Sequence, residues 1–304
     1  MQGTPTVKKK WAFLFFSVAK KQPDAHDDSI WALAWTSANK IVTGSVDEHV
    51  KIWNPSLEKP ERDFGENQWG VVSVAASADG KLVAASAMDS NIRIWDAESG
   101  NLVRTINAFP VETWAIAFSP DGRLIASSSK SGNINLWSVE TGEKAQTLEP
   151  SGKFTMCVAF SPNGKYVACG AVDGLVTVFE VRDGKRLHSI EGHGMTVRSL
   201  TFSTDSSRLL TTSDDMHINI YDVEKAELIH MVSGHSSWVL PDSKYFATGS
   251  ADKTVKVWDA AKGQCVHTFT DHTDMVWAVA FDPKGALLAS ASDDKSIIVY
   301  NVAH

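Results

Sequence analysis

Four histidines offer the first chemistry in this sequence. His26, His193, His235 and His272 each precede an aspartate, respectively Asp47, Asp215, Asp252 and Asp294. A histidine oriented by an aspartate is half of a nucleophilic triad, so acid–base catalysis has to be weighed first. The pairing recurs along the chain, however. A catalytic pair is needed once, whereas a structural network returns with every repeat that needs it. His49, His188, His217, His230, His267 and His304 fall singly, without ligand spacing, and no metal site is expected. Cys157, Cys169 and Cys265 form neither a CxxC motif nor an even framework, which fits a reducing compartment. The chain has no GxxxxGK[ST], no HExxH, no Gly-x-Ser-x-Gly elbow and no lone activated Cys beside a His. Neither catalytic residues nor a cofactor site are expected.

The elements that position these residues follow from a period. An aromatic residue ending a short β-branched run recurs at Trp53, Trp95, Trp137, Phe179, Tyr221, Trp258 and Tyr300, with spacings of 42, 42, 42, 42, 37 and 42. Four short alternating segments lie inside each unit, the pattern of a propeller blade of four antiparallel strands. Six residues before each aromatic stands Asp47, Asp89, Ser131, Asp173, Asp215, Asp252 or Asp294. Such a residue can cap the tight turn between the second and third strands. Ser119-Pro120-Asp121-Gly122 and Ser161-Pro162-Asn163-Gly164 read as turns between the first and second strands, where Pro presets φ and Gly supplies φ > 0. The 43% hydrophobic and 21% charged content is that of a globular chain with a large core. A net charge of -7 argues against a grip on nucleic acid, which needs a basic face.

The strings Lys51-Ile52-Trp53, Arg93-Ile94-Trp95-Asp96, Asn135-Leu136-Trp137 and Lys256-Val257-Trp258-Asp259 make the repeat specific. With them the chain resembles the WD-repeat family, from about residue 11 to residue 304. The fold implied is all-β, a seven-bladed WD-repeat β-propeller closed by an N-terminal strand. Residues 11–304 would form the single propeller, and 1–10 a flexible N-terminal segment. The resemblance also implies that each His bonds its repeat's Asp, with a Ser or Thr of the second strand linking to the aromatic of the third. Repeats one and six carry the full set, His26, Ser45, Asp47, Trp53 and His235, Ser250, Asp252, Trp258. His193, Asp215, Tyr221 and His272, Asp294, Tyr300 belong to the same networks.

Repeat seven supplies Val276 to Phe281, Leu287 to Ala291 and Ser296 to Tyr300, and lacks a fourth strand. Trp11 to Val18 is aromatic and β-branched, and stands where a family member places its closing strand. With Lys8 to Lys10 ahead of it, this run also has the outline of a secretory leader, the competing reading. Repeat six is short. From His235 to Pro241 there are six positions, against eleven from His193 to Thr204 and from His272 to Pro283. The five absent residues fall in the innermost strand, so that strand is expected to be shortened.

In WD propellers the position five residues after the repeat's His lies at the top mouth of the central channel. Here it holds Trp31, Val72, Trp114, Met156, Arg198 and Trp277, with Leu240 in the short repeat. Two positions earlier stand Phe154, Trp238 and Met275. Trp anchors dominate protein hot spots, and this ring is the expected docking face. Asp214 and Asp293 are candidates to accept a partner's Arg there. The strings from Ala25 to Trp31, Gly234 to Leu240 and Asp271 to Trp277 resemble the WD-repeat subunits of the superkiller complex, also found in the polymerase-associated factor complex. That resemblance implies a non-catalytic scaffold in cytoplasm and nucleus, assisting exosome-mediated mRNA decay and transcription elongation. Its partners would be proteins: the tetratricopeptide scaffold and helicase of the first complex and subunits of the second. No direct nucleic acid, membrane or small-molecule substrate is expected. A substrate-recognition subunit of a ubiquitin ligase is the alternative.

Overall fold

Each repeat alternates short runs of Val, Ile, Leu, Thr and Ala with turns bearing Asp, Asn, Ser or Gly, a pattern that suits half-buried strands and leaves no run long enough for a stable helix. The computed structural model describes residues 15–65, 67–108, 113–234, 239–241 and 245–303. Among these residues 28 strands form seven antiparallel sheets of four, and there is no helix. Blade one runs from its inner strand to its outer one as Ile30–Trp35, Ile41–Ser45, Val50–Trp53 and Pro60–Phe64. Blades two to six repeat that order. The expected turns form as read: the Gly122 and Gly164 N–H groups donate to the Ser119 and Ser161 carbonyls at 2.9 Å, each glycine at φ 70°.

The seventh blade is completed from the other end of the chain. Val276–Phe281, Leu287–Ser292 and Ile297–Ala303 are joined on the outside by Phe15–Gln22. The register pairs Phe16 with Val302 and Lys21 with Ile298, with a slip between Val18 and Lys20. The expected closing strand, Trp11 to Val18, is thus found, and it runs past its expected end at Val18 to Gln22. Residues 1–14, including Trp11 and the proposed N-terminal segment 1–10, lie outside the described residues. The strand continues through Lys20 and Lys21, both exposed. An outermost strand tolerates charge on its solvent side, so the lysines do not end it, and the Lys21 ammonium donates to the Asp271 carbonyl at 2.8 Å. Phe16 stacks on His267 of the sixth blade's outer strand, with ring centroids 4.5 Å apart.

The core lies between blades. Seven apolar clusters occupy the seven seams, and each contains one of the periodic aromatics. Trp53 packs against Ala280, Ala289, Ile297 and Val299 of blade seven. Trp95, Trp137, Phe179, Tyr221, Trp258 and Tyr300 fill the other six in order. The period of the sequence is thus the period of the seams. At the closing seam the Trp35 indole N–H donates to the Ala280 carbonyl at 2.8 Å.

Blade six has the expected short inner strand. Only Val239–Pro241 pairs with the second strand, as Val239 with Thr248, Leu240 with Ala247 and Pro241 with Phe246, where the inner strands of the neighbouring blades, Val197–Phe202 and Val276–Phe281, have six residues each. Two predictions follow from this architecture. Inserting the Ser-Leu-Thr-Phe-Ser of residues 199–203 between Leu240 and Pro241 should lengthen the inner strand and raise the thermal midpoint by several degrees, at about 2–4 °C per kcal/mol of regained packing. An unchanged midpoint would mean that the short strand costs the ring nothing. Deleting residues 1–22 should strip the outer strand from blade seven, lower the midpoint and promote aggregation through the bared edge of Ile297–Ala303; a variant that melts and sediments like the parent would refute the closure.

Candidate functional site

The His and Asp residues form chains of hydrogen bonds in the seams. In blade one His26 Nδ1 donates to Asp47 Oδ2 at 2.9 Å. Its Nε2 meets Thr43 Oγ1 at 2.8 Å, and the Trp53 indole N–H donates to the same oxygen at 2.9 Å. One neutral tautomer of His26 satisfies every partner: Nδ1 gives a proton to the carboxylate, and Nε2 accepts one from the Thr43 hydroxyl. Blade five repeats the chain with His193 to Asp215 at 2.9 Å and His193 to Thr211 at 2.8 Å. In blade seven His272 meets Asp294 at 2.9 Å and Ser290 at 2.6 Å, and the Ser290 hydroxyl donates to the Tyr300 oxygen at 3.4 Å. In blade six Trp258 donates to Thr248 at 2.9 Å, while His235 lies outside the described residues.

The linking residue corrects the expectation. In blade one Thr43 joins the chain in place of Ser45, and in blade six Thr248 takes the Trp258 indole N–H. Trp53 stands directly opposite Ile41 and Trp258 opposite Phe246, so each indole reaches the same-face residue two positions on. Ser45 and Ser250 lie two further, at the strand end, and accept the Asp47 and Asp252 N–H groups at 3.1 and 3.0 Å. They cap turns. The aspartates do so too: Asp47 Oδ1 accepts from the His49 N–H and Asp252 Oδ1 from the Thr254 N–H, both at 3.0 Å.

Burial is the largest influence on the His26 and His193 rings and holds both below the ordinary imidazole value of 6.5, against the pull of Asp47 and Asp215. Burial alone would raise the Asp47 and Asp294 carboxyls. Their hydrogen bonds from His26 and His272 and from nearby N–H groups outweigh it and keep both well below the usual carboxylate range. The His26, His193 and His272 rings are buried, their aspartates partly so, and each pair is completed by groups of its own repeat.

The residues that do face a cavity are those five positions after the histidines. Trp31, Val72, Trp114, Met156, Arg198 and Trp277 line one channel of about 420 Å³, with Leu33, Val74, Ile116, Val158, Leu200 and Val279 as a second tier. A repeated irregularity brings them there. In blade one the register steps from Ile30 opposite Ser45 to Ala32 opposite Gly44, leaving Trp31 unpaired. Val72, Met156, Arg198 and Trp277 are skipped in the same way, and in blade three the step passes over Trp114 and Ala115. A bulge re-aims a side chain, and in these six blades it turns the skipped residue toward the axis. The Trp31 and Trp277 rings meet at 6.0 Å between centroids, and Trp114 takes Phe154 edge-on at 5.6 Å.

The three tryptophans are half-buried, presenting part of each ring to the channel. Met156, by contrast, is only 6% exposed and offers a partner little area. Asp214 is not an open acceptor. Arg198 of the same chain already holds it through a fork, Nε to Oδ1 at 2.9 Å and Nη2 to Oδ2 at 2.7 Å, because the bulge brings Arg198 beside the Asp214 turn. Asp293 holds the equivalent place in blade seven, where its N–H donates to the Met275 carbonyl at 2.9 Å. Trp238 lies outside the described residues. Sequence reasoning missed Trp69, which is 69% exposed in the loop entering blade two. An isolated Trp among Asn67, Gln68 and Gly70, off the period of the ring, was the available signal.

The family model described as "WD domain, G-beta repeat" matches seven times, over residues 19–54, 58–96, 100–138, 142–180, 184–222, 226–259 and 263–301. Among curated proteins, a 73-residue stretch is 39% identical to the WD repeat-containing protein VIP3 of Arabidopsis thaliana, covering 22% of this chain and 23% of that protein. The similarity thus spans less than a quarter of that relative's length.

Two predictions test the networks. Thr43→Val leaves a buried indole N–H and imidazole nitrogen without their shared hydroxyl and should destabilise the fold by about 2–4 kcal/mol, whereas Ser45→Ala should cost about 1 kcal/mol; chemical denaturation giving the reverse order would refute the assignment. Acidification should destabilise in two stages. His26 and His193, with folded values below 6.5, lose their contribution as the pH falls from 6.5 toward those values, since the unfolded chain takes up protons first. Asp47 and Asp294, held below 3.8, lose theirs as the pH falls below 3.8. A thermal midpoint that stays flat between about pH 7.5 and 5 would contradict neutral buried imidazoles.

Proposed function

The chain belongs to the WD domain, G-beta repeat family, and from that premise we propose that it is a protein-interaction scaffold whose docking face is the top mouth of its central channel. Propellers of this family generally bind proteins rather than catalyse. The observation that carries the reading is the bulge repeated in six inner strands, which spends a ladder position in each blade to turn Trp31, Val72, Trp114, Met156, Arg198 or Trp277 toward the axis. Closing the core does not require it, since the seams are already filled by the periodic aromatics. Tryptophans left half-buried around an apolar mouth match what a protein hot spot needs.

The finer reading names the assembly. The strings from Ala25 to Trp31 and from Asp271 to Trp277 support a WD-repeat subunit of the superkiller and polymerase-associated factor complexes, working in cytoplasm and nucleus. Its partners there are the tetratricopeptide scaffold, the helicase and the corresponding transcription-complex subunits. The partial similarity to the plant WD repeat-containing protein VIP3 accords with a protein of this repeat family.

Replacing Trp31 and Trp277 with Ala should remove about 2–4 kcal/mol of binding each if a partner desolvates them, weakening capture of purified tetratricopeptide scaffold at least about a hundredfold. The thermal midpoint should fall by only a few degrees, because neither ring fills a seam; a fully buried Trp would cost about 3–5 kcal/mol of stability. A folded double variant that binds normally would remove the channel mouth as the docking face. Binding to ligase subunits in place of the scaffold would favour the ubiquitin-ligase alternative.

A further inference from the structure

Trp69 has a conformation and a setting that the fold does not explain. Its backbone is left-handed, φ 61°, and so is that of Gly70, φ 66°. For a bulky side chain that region is a steric outlier, kept only where the surroundings over-determine it. They do so here. The Trp69 N–H donates to Glu48 Oε1 at 3.1 Å, the Asn67 side-chain amide donates to the Glu48 carbonyl at 3.1 Å, and the Met88 N–H donates to the Gly70 carbonyl at 3.1 Å. Three bonds from two turns pin a strained loop. The pinning buries Asn67 but leaves the apolar side chains in solvent, the indole 69% exposed and Met88 beside the loop 42% exposed. An apolar side chain held rigid in water against both its backbone preference and its hydrophobicity is arranged for presentation.

The surroundings define what it is presented to. The turns at 23–29, 46–49 and 86–90 carry Asp24, Asp27, Asp28, Asp47, Glu48 and Asp89 and no Lys or Arg. Asp47 is bound to His26, and Asp89 to Arg93 at 2.7 Å. Asp24, Asp27, Asp28 and Glu48 are exposed. Lys51 and Lys295 reach in from outside these turns and spend their ammonium groups on the Ala25 and Asp27 carbonyls. The Val46 N–H donates to the Ser29 carbonyl at 3.0 Å, which joins the acidic turns into one surface beside Trp69. Three residues after Trp69, Val72 lines the channel, so this surface continues into the mouth.

We propose that Trp69 and Met88 form an apolar anchor for a basic segment of a partner protein, with the partner's Arg or Lys side chains meeting Glu48 and Asp28. The anchor takes an apolar side chain against the indole, and a guanidinium can also stack on the ring face. The proposal rests on the docking reading in taking a protein as the partner, but it uses different residues from the channel ring.

The test uses the full chain labelled with 5-fluorotryptophan and followed by fluorine NMR, with the Trp69 resonance identified by its loss in Trp69→Phe. The probes are three synthetic twelve-residue peptides: one alternating Arg and Leu, one with every Arg replaced by Glu, and one with every Leu replaced by Ser. The Arg/Leu peptide should move the Trp69 resonance saturably and the other two should not. Raising the salt from about 50 to 500 mM should weaken that binding at least about fivefold. Trp69→Gly should weaken it at least about tenfold and leave the thermal midpoint unchanged or higher, since glycine relaxes the left-handed backbone. The proposal is overturned if the Arg/Leu peptide leaves the resonance in place or if either control peptide moves it equally. A resonance that shifts with protein concentration alone, marking a second copy of the chain as the occupant, overturns it as well. If the Trp31→Ala, Trp277→Ala variant binds the peptide normally while Trp69→Gly does not, the anchor stands apart from the channel ring, whose own role is read from scaffold capture; the converse pattern overturns the anchor.

Discussion

The seam between neighbouring blades is the constraint on which the rest of this molecule depends. A four-stranded sheet of five- or six-residue strands has two apolar faces and can bury neither alone. Each face here is buried against the next blade, around one large aromatic side chain per seam, from Trp53 at the closing seam to Tyr300 between blades six and seven. The ring therefore works only as a closed set. The last blade would end in an open edge at Ile297–Ala303, so the chain returns Phe15–Gln22 to pair with it.

The polar networks serve the same seams. An aromatic such as Trp53 brings an N–H into an apolar interface, where an unpaired donor costs about 1–3 kcal/mol. Thr43 takes that bond, His26 takes the hydroxyl proton, and Asp47 takes the imidazole proton before turning its second oxygen to the His49 N–H. A line of four side chains thus carries an unsatisfied donor from the core out to a surface turn. The arrangement resembles catalytic machinery in composition and differs in having every member occupied.

The lining of the channel mouth arises from strand geometry. Regular pairing would send Trp31 back into a seam already filled by Trp53 and Leu33. The bulge spares the seam and moves the ring toward the axis. Around the same mouth the Arg198 to Asp214 fork closes one polar position within the chain, and the acidic turns of blades one and two leave another side negative. The candidate site is thus apolar at its centre and uneven in charge at its rim.

The repeat length, the blade count, the capped turns and the deficit in blade six were legible in the sequence, because each follows from local pattern: strand alternation, turn residues and a period of 42 count positions along the chain. The ring positions were legible too, since equivalent residues of a repeat occupy equivalent places. What required the tertiary structure were relations across strands and between loops. Thr43 rather than Ser45 completes the chain to Trp53 because the indole reaches diagonally across a register that the sequence does not state. The closing strand runs to Gln22 because an edge strand admits lysines that look like its end. Asp214 is occupied because a bulge places Arg198 beside it. Trp69 stands out in solvent because two turns from separate repeats hold its backbone left-handed. Periodicity fixes which residues are equivalent; only packing in three dimensions fixes which of them touch.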